Sequence, residues 1–164
     1  MTKHPYDILT LDNGAKLIFT PCPGTKSESL MESIATLKAA GTSMLITLMY
    51  DEEMEKNQAQ ALPDFCEEQG VQWMQLPLPD DAAPNEDFAR AWQTNRQVIL
   101  DKVANKGTIA VHCKGGSGRT GLVIGLIMKA LGLPVSEIKQ QVQALRPKAL
   151  VNPSQLTFFE RFNG

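Results

Sequence analysis

The alternation of apolar and polar positions predicts short strands in the first two-thirds of the chain. Two strand-like segments, YDILTL and AKLIFT, flank Asn13-Gly14, a dipeptide typical of a hairpin turn. The continuous apolar run MLITLM is typical of a buried parallel strand, and VQWMQL and TIAVH are predicted to be further strands.

Apolar residues at helical spacing, together with residues that typically begin or end helices, predict helices between and after these strands. Ser29 and Glu32 have the spacing of a capping box, Gly41 ends the helix that follows, and a short helix ends near Gly70. Four later helices are predicted. One covers the stretch RTGLVIGLIMKAL, and the other three begin at Asn85, Ser136 and Asn152-Pro153. The helix after Asn85 has an apolar stripe of Phe88, Trp92, Ile99 and Val103.

Strands that alternate with helices, followed by helices alone, predict an α/β fold. We expect residues 1–164 to form a single domain, because no repeat or linker interrupts the chain. The predicted architecture is a central, mainly parallel, twisted sheet with helices on both faces and a β-hairpin at its N-terminal end.

Composition and charge narrow the possible partners and the compartment. A net charge of -2 argues against nucleic acid or an anionic membrane as partner. No apolar run has membrane-spanning length, and the first residues lack the apolar core of a signal peptide. Three widely spaced cysteines and two histidines predict free thiols, a cytoplasmic location and no metal site. The monomer is the default oligomeric state.

The stretch VHCKGGSGRTG joins a predicted strand to a predicted helix, which is where parallel sheets bind ligands. Five residues separate Cys113 from Arg119, enough for the backbone N–H groups to curl into an anion nest. Three glycines in this turn tolerate positive φ and place no Cβ against a ligand: Gly115, Gly116 and Gly118. The following helix adds its positive end, and the planar fork of Arg119 suits two phosphate oxygens.

A cysteine in this position is predicted to be a nucleophile. The thiol has to be ionised to attack, which requires about 3.5–5 kcal/mol of preferential stabilisation of the thiolate. A helix end contributes ~0.3–1 kcal/mol, or ~2 kcal/mol when it is partly buried. The loop amides, Arg119 and the Thr120 hydroxyl therefore have to share the stabilisation of the thiolate. A buried structural cysteine is the alternative, but neither Cys22 nor Cys66 has an arginine six residues later.

The segment HCKGGSGRTG resembles the signature of the cysteine-based protein tyrosine phosphatases: His-Cys, five residues, Arg, then Ser or Thr. TPCPG, LKAAG, MLITLM and LPLPDDAAPN follow the order of the dual-specificity branch, so the resemblance covers most of the chain. It implies a metal-independent protein phosphatase without cofactor that hydrolyses phosphotyrosine through a phosphocysteine. Phosphothreonine and phosphoserine are further candidate substrates, on a phosphorylated protein or peptide partner.

The resemblance also implies a general acid on the loop after the preceding strand. Asp80 follows Pro79 as in the family and is favoured over Asp81, while solvation of a proline-rich loop is the alternative role for both. Thr120 is implied to bond the thiolate, and His112 to orient the loop through a backbone contact or to be structural only.

The sequence allows two roles for each of several other residues near the predicted site. The substrate-binding turn includes Lys114 and Ser117, and Lys114 is either part of the pocket rim or a solvated lysine. Gln155 either positions the hydrolytic water, by resemblance, or serves as capping-box partner of Asn152, which is favoured. Cys22 or Cys66 either forms a disulfide with the nucleophile or is simply buried, and burial is favoured.

Two other functions remain open from the sequence. Phosphoinositide phosphatases tend to have two lysines in the turn, whereas this chain has Lys114 but Ser117. A catalytically silent phosphate-binding module is the second alternative, although such modules usually lack the nucleophile, the arginine or the acid.

Overall fold

The computed structural model describes residues 2–164, which contain one five-stranded sheet. Its strands are β1 (Asp7–Thr10), β2 (Lys16–Thr20), β3 (Met44–Thr47), β4 (Gln72–Gln75) and β5 (Thr108–His112). They lie in the order β1-β2-β5-β3-β4, and only the β1–β2 hairpin pair is antiparallel. The predicted α/β architecture with a mainly parallel sheet and an N-terminal hairpin is confirmed.

Seven helices occur in the described part of the chain. They are α1 (Leu30–Ala39), α2 (Asp51–Lys56), α3 (Leu62–Glu68), α4 (Glu86–Ala104), α5 (Gly118–Ala130), α6 (Val135–Leu145) and α7 (Pro153–Arg161). None of these helices is both long and apolar enough to cross a membrane.

The side-chain alternation of the strands divides the core into two clusters, one on each face of the sheet. Ile18, Leu45 and Ala110 pack with the buried residues of α1, α2 and α3. Their neighbours along the strands point to the opposite face, where α4, α5, α6 and α7 supply the larger cluster. Helices therefore cover both faces, as predicted.

The four parallel strands end in one row at their carboxyl edge. Thr20 pairs with His112, His112 with Thr47, and Thr47 with Gln75. The four segments that follow these residues consequently meet at the same edge of the sheet. They are the TPCPG stretch, the glycine turn (residues 114–118), α2 and the acid loop (residues 79–84).

Several local predictions are confirmed and others need correction. Ser29 and Glu32 form the predicted capping box, Asn85 caps α4, and all four predicted stripe residues of α4 are buried. The helix predicted to open at Ser136 starts one residue earlier, with Pro134 in the N-cap position. Helix α2 was not predicted, because its six residues, DEEMEK, include only one buried side chain.

Candidate active site

Cys113 lies directly after β5, with its sulfur beneath the glycine turn. The residue is 4% exposed, and its Sγ accepts hydrogen bonds from the Gly116 N–H (3.3 Å) and the Thr120 hydroxyl (3.2 Å). Two hydrogen-bond donors therefore converge on this sulfur atom. Cys22 and Cys66 are also free thiols, but burial raises the pKa of each to about 12, so they stay neutral.

Three backbone carbonyl groups, one directly before the glycine turn and two within it, accept hydrogen bonds from donors outside the turn. The Cys113 carbonyl accepts from His112 Nδ1 (3.1 Å), that of Lys114 from the Cys22 N–H (3.1 Å), and that of Gly116 from Arg146 Nε (2.9 Å). In a trans peptide the C=O and the next N–H point in opposite directions. The N–H groups of residues 114, 115 and 117 are therefore turned away from these donors, which is the arrangement of an anion nest.

The three glycines of the turn contribute differently. Gly116 has φ +80°, and a Cβ there would lie 2.6 Å from the Thr20 carbonyl carbon and 2.7 Å from Pro21 N. This position requires glycine both for its backbone conformation and for the close approach to the TPCPG stretch. Neither Gly115 nor Gly118 has a positive φ, and a Cβ on either would meet no atom of residues 2–164 within 4 Å. Positive φ is thus used at one of the three predicted glycines.

Arg119 is buried in the first turn of α5 and is held by Glu53 from α2. Its Nη1 and Nη2 donate to the two oxygens of the Glu53 carboxylate at 2.8 Å and 2.7 Å. Burial alone would lower the pKa of Arg119, but the Glu53 carboxylate raises it, and the net direction is upward. The buried Arg119 Nε has no hydrogen-bond acceptor among residues 2–164, so it is a donor available to a ligand.

The structure places Asp80, and not Asp81, beside Arg119. Asp80 Oδ1 lies 3.5 Å from Arg119 Nε, and the Asp80 side chain is 68% exposed. Asp81 is exposed and has φ +55°, and the chain turns at Asp80 and Asp81. A carboxyl group at the open side of the site, away from the buried sulfur, can exchange protons with a bound molecule and with water.

A chain of hydrogen bonds fixes the orientation of His112. The Cys113 carbonyl can only accept, so His112 Nδ1 carries the proton, and the neutral ring then accepts at Nε2 from the Thr47 hydroxyl (2.7 Å). Trp73 Nε1 donates to the same Thr47 oxygen (2.8 Å). Burial lowers the pKa of His112 to about 4, so the ring is neutral at physiological pH. The predicted backbone contact of His112 is confirmed.

The lowered pKa of His112 predicts an acid-dependent loss of stability. As the pH falls from 6.5 to about 4, the unfolded chain takes up a proton at His112 that the folded protein does not. His112 alone should lower the unfolding free energy by about 3 kcal/mol over this window, at ~1.36 kcal/mol per pKa unit. The measurement is urea unfolding across pH, with His112→Asn as a non-titrating variant that keeps a donor for the Cys113 carbonyl. Equal pH dependence of wild type and variant would contradict the prediction.

Gln155 lies in the first turn of α7, and its side chain is not a capping-box partner. Asn152 caps α7 as predicted, since its Oδ1 accepts from the N–H groups of Ser154 (3.0 Å) and Gln155 (3.3 Å). The Gln155 side chain turns away from the cap, and its Nε2 donates to the Ala82 carbonyl at 3.3 Å. The favoured capping-box role is therefore wrong, because the acid loop offers this amide a carbonyl.

Two residues of the site were not identified from the sequence. Glu53 belongs to an acidic segment that follows β3, and Arg146 follows α6. Because β3 and β5 are parallel neighbours, the segments that follow them meet at one edge of the sheet. This pairing places the acidic segment with Glu53 near the glycine turn. Arg146 had no comparable pattern, because it reaches the turn from a helix that is distant in sequence.

Comparison with known proteins identifies the class of this site. Residues 23–155 match the family described as PTP-SAK: Swiss Army Knife protein, DSP-PTPase phosphatase domain. Dual specificity protein phosphatase CDC14B of Mus musculus is 38% identical over 80 residues, which cover 48% of this chain and 15% of that protein. Putative tyrosine phosphatase 067L of Invertebrate iridescent virus 3 is 28% identical over 151 residues, 81% of this chain and 58% of that protein.

A solved structure shares the fold over nearly the whole chain. Kinase associated phosphatase, with its catalytic-site cysteine replaced by serine, superposes with a TM-score of 0.86 at 19% identity and covers 99% of this chain and 95% of that one. The chain belongs to the DSP-PTPase family of cysteine-based protein tyrosine and dual-specificity phosphatases. It spans 15% and 58% of the lengths of the two curated relatives named above.

Proposed function

We propose that this protein is a metal-independent phosphatase that removes phosphate from phosphotyrosine, and also from phosphothreonine or phosphoserine, on a protein or peptide. The observation that carries the proposal is the buried Cys113 sulfur, which accepts two hydrogen bonds at the floor of the turn. The unpartnered Nε–H of Arg119, which finds no acceptor among residues 2–164, supports it, because a buried donor of this kind suits a phosphate oxygen.

The proposed reaction has two displacement steps at phosphorus. In the first, the Cys113 thiolate forms an S–P bond, the P–O bond to the substrate breaks, and Asp80 protonates the leaving oxygen. In the second, the Asp80 carboxylate takes a proton from water, whose oxygen attacks phosphorus and releases the thiolate. The N–H groups of the turn and Arg119 stabilise the charge on the phosphoryl oxygens in both steps.

The electrostatics of the site support a peptide over a phosphoinositide as substrate. The exposed Lys114 is the only lysine of the glycine turn, while the acid loop brings the exposed carboxylates of Asp80 and Asp81 to the same edge of the sheet. A polyanionic headgroup would meet these carboxylates, whereas a single phosphate enters the nest alone.

Phosphate release from matched phosphopeptides tests the proposal. The wild-type protein should hydrolyse a phosphotyrosine peptide in the presence of EDTA, and vanadate should inhibit it. Peptides of the same sequence with phosphothreonine and phosphoserine establish the preference, and a phosphoinositide panel tests the alternative substrate class. Turnover confined to the phosphoinositides, or lost with EDTA, would overturn the proposal.

Replacing Asp80 by alanine should slow the reaction most for substrates with a basic leaving group. We expect kcat/KM for a phosphotyrosine peptide to fall about 100-fold, the lower end of general-acid contributions. The loss for para-nitrophenyl phosphate should be much smaller, since nitrophenolate leaves without a proton. Asp81→Ala is the matched control, because this neighbouring carboxylate is not placed beside Arg119. A larger loss in Asp81→Ala would reassign the acid to Asp81.

A further inference from the structure

The acid loop carries Asp80 but has little backbone support of its own. The N–H of Leu78 donates to the Leu48 carbonyl (3.1 Å), and regular structure resumes when Asn85 caps α4. Within the described chain, no backbone–backbone hydrogen bond joins residues 79–84 to another segment. Asp81 also holds a left-handed conformation, φ +55°, which is uncommon for a residue with a side chain. Side chains from elsewhere must therefore determine where this loop lies.

Two side-chain amides at the start of α7 contact consecutive carbonyl groups of the acid loop. Asn152 Nδ2 donates to the Asp81 carbonyl at 3.2 Å, and Gln155 Nε2 donates to the Ala82 carbonyl at 3.3 Å. The Asn152 amide is oriented by the helix, because its Oδ1 accepts the N–H groups that it caps and leaves Nδ2 facing the loop. Gln155 is 3% exposed, so its amide is held in a buried position.

We propose that Asn152 and Gln155 form an amide latch that positions Asp80 over the phosphate site. This inference rests on the proposed function of Asp80 as the general acid. The Asp80 carboxyl group itself is largely exposed, and within residues 2–164 the 3.5 Å approach to Arg119 Nε is its one ion pair. Because the latch holds the carbonyl groups of the two residues that follow Asp80, it fixes the turn from which Asp80 approaches Arg119. Asn152 and Gln155 are positioning residues for the acid.

The latch predicts a different kinetic pattern from a water-positioning role of Gln155. Leaving-group departure belongs to the first step, which is the step that kcat/KM measures when phosphoenzyme formation is irreversible. A misplaced acid therefore lowers kcat/KM, and lowers it more for a more basic leaving group. A misplaced hydrolytic water would lower kcat while leaving kcat/KM unchanged, because the leaving group has already departed.

Two variants remove the donors of the latch without adding charge. Asn152→Ser keeps a hydroxyl that caps α7 but is too short to reach the Asp81 carbonyl. Gln155→Met keeps the length of the side chain and removes its N–H group. Gln97→Met is the matched control, since Gln97 is exposed on α4 and its amide donates to Asp101 on the same helix. Thermal unfolding of each variant establishes that the fold is intact before kinetics are compared.

We expect kcat/KM for a phosphotyrosine peptide to fall about tenfold in Asn152→Ser and in Gln155→Met, which corresponds to ~1.4 kcal/mol. The loss for para-nitrophenyl phosphate should be no more than about threefold, because this step needs little acid. In an Asp80→Ala background neither variant should cause a further loss, since residues that act through one group are not additive.

Losses that are equal for the two substrates, or that persist in the Asp80→Ala background, would overturn the latch. In that case Asp80→Ala alone would still show its own leaving-group dependence, so the proposed function would stand. If Asp80→Ala showed no such dependence, the assignment of the acid would fail and the latch would fall with it. A loss confined to kcat in Gln155→Met would overturn the latch in favour of water positioning.

Discussion

Replacing Cys113 by serine should abolish turnover and leave phosphate binding intact. A serine hydroxyl is far less acidic than a thiol, so the two donors at the sulfur position, the Gly116 N–H and the Thr120 hydroxyl, would face a protonated oxygen. We expect a loss of about 10⁶-fold in kcat, the scale seen when a catalytic nucleophile is removed. Fluorescence polarisation with a labelled phosphotyrosine peptide should still detect binding, because the turn amides and Arg119 are unchanged.

Cys66→Ser is the matched control for this loss. Cys66 is fully buried, and burial raises its pKa to about 12, but it lies in α3 on the other face of the sheet. The same chemical change there does not touch the reacting atoms, so kcat of the folded variant should stay close to that of wild type. Equal activity of wild type and Cys113→Ser would instead indicate that Cys113 is not the nucleophile.

The parts of the fold that were predicted from the sequence are those encoded by nearby residues. The Asn13-Gly14 turn, the Ser29–Glu32 capping box and the Asn85 cap each depend on residues at most a few positions apart. Binary patterning then determined the sheet and its helices, because each strand and helix had an apolar face to bury. The short helix α2 lacked such a face, and its pattern therefore gave no indication of it.

The parts of the site that were missed depend on contacts across the chain. Glu53 binds Arg119 across 66 residues, and Arg146 reaches the Gly116 carbonyl across 30. Neither pair has a local spacing that could reveal it, because both depend on the strand order and on how the helices pack. The prediction for Gln155 was wrong for the same reason. Its spacing from Asn152 favoured a capping box, but in the folded chain its side-chain amide donates to a carbonyl of the acid loop.

Replacing Arg119 by lysine should lower kcat/KM about 1000-fold, the upper range for loss of one preorganised donor group to a developing charge. Lysine keeps the positive charge, but it has no planar fork that can bond Glu53 on one side and phosphate oxygens on the other. The ammonium group would also approach Glu53 closely and move away from the nest. Steady-state kinetics with a phosphotyrosine peptide measure the loss, and a decrease smaller than tenfold would contradict a bidentate role.

Glu53→Gln tests how much the position of the Arg119 guanidinium contributes to catalysis, because this change leaves the charge of Arg119 in place. The amide oxygen can accept one guanidinium N–H, but the amide NH₂ opposes the other, so the guanidinium should tilt and kcat/KM should fall about tenfold, ~1.4 kcal/mol. Glu52→Gln, the same change at the exposed neighbour in α2, should have no effect. If Glu53 acts through the guanidinium, Glu53→Gln should cost nothing further in the Arg119→Lys background, since coupled residues are not additive. Two full, additive losses would mean that Glu53 contributes to catalysis by a route other than Arg119.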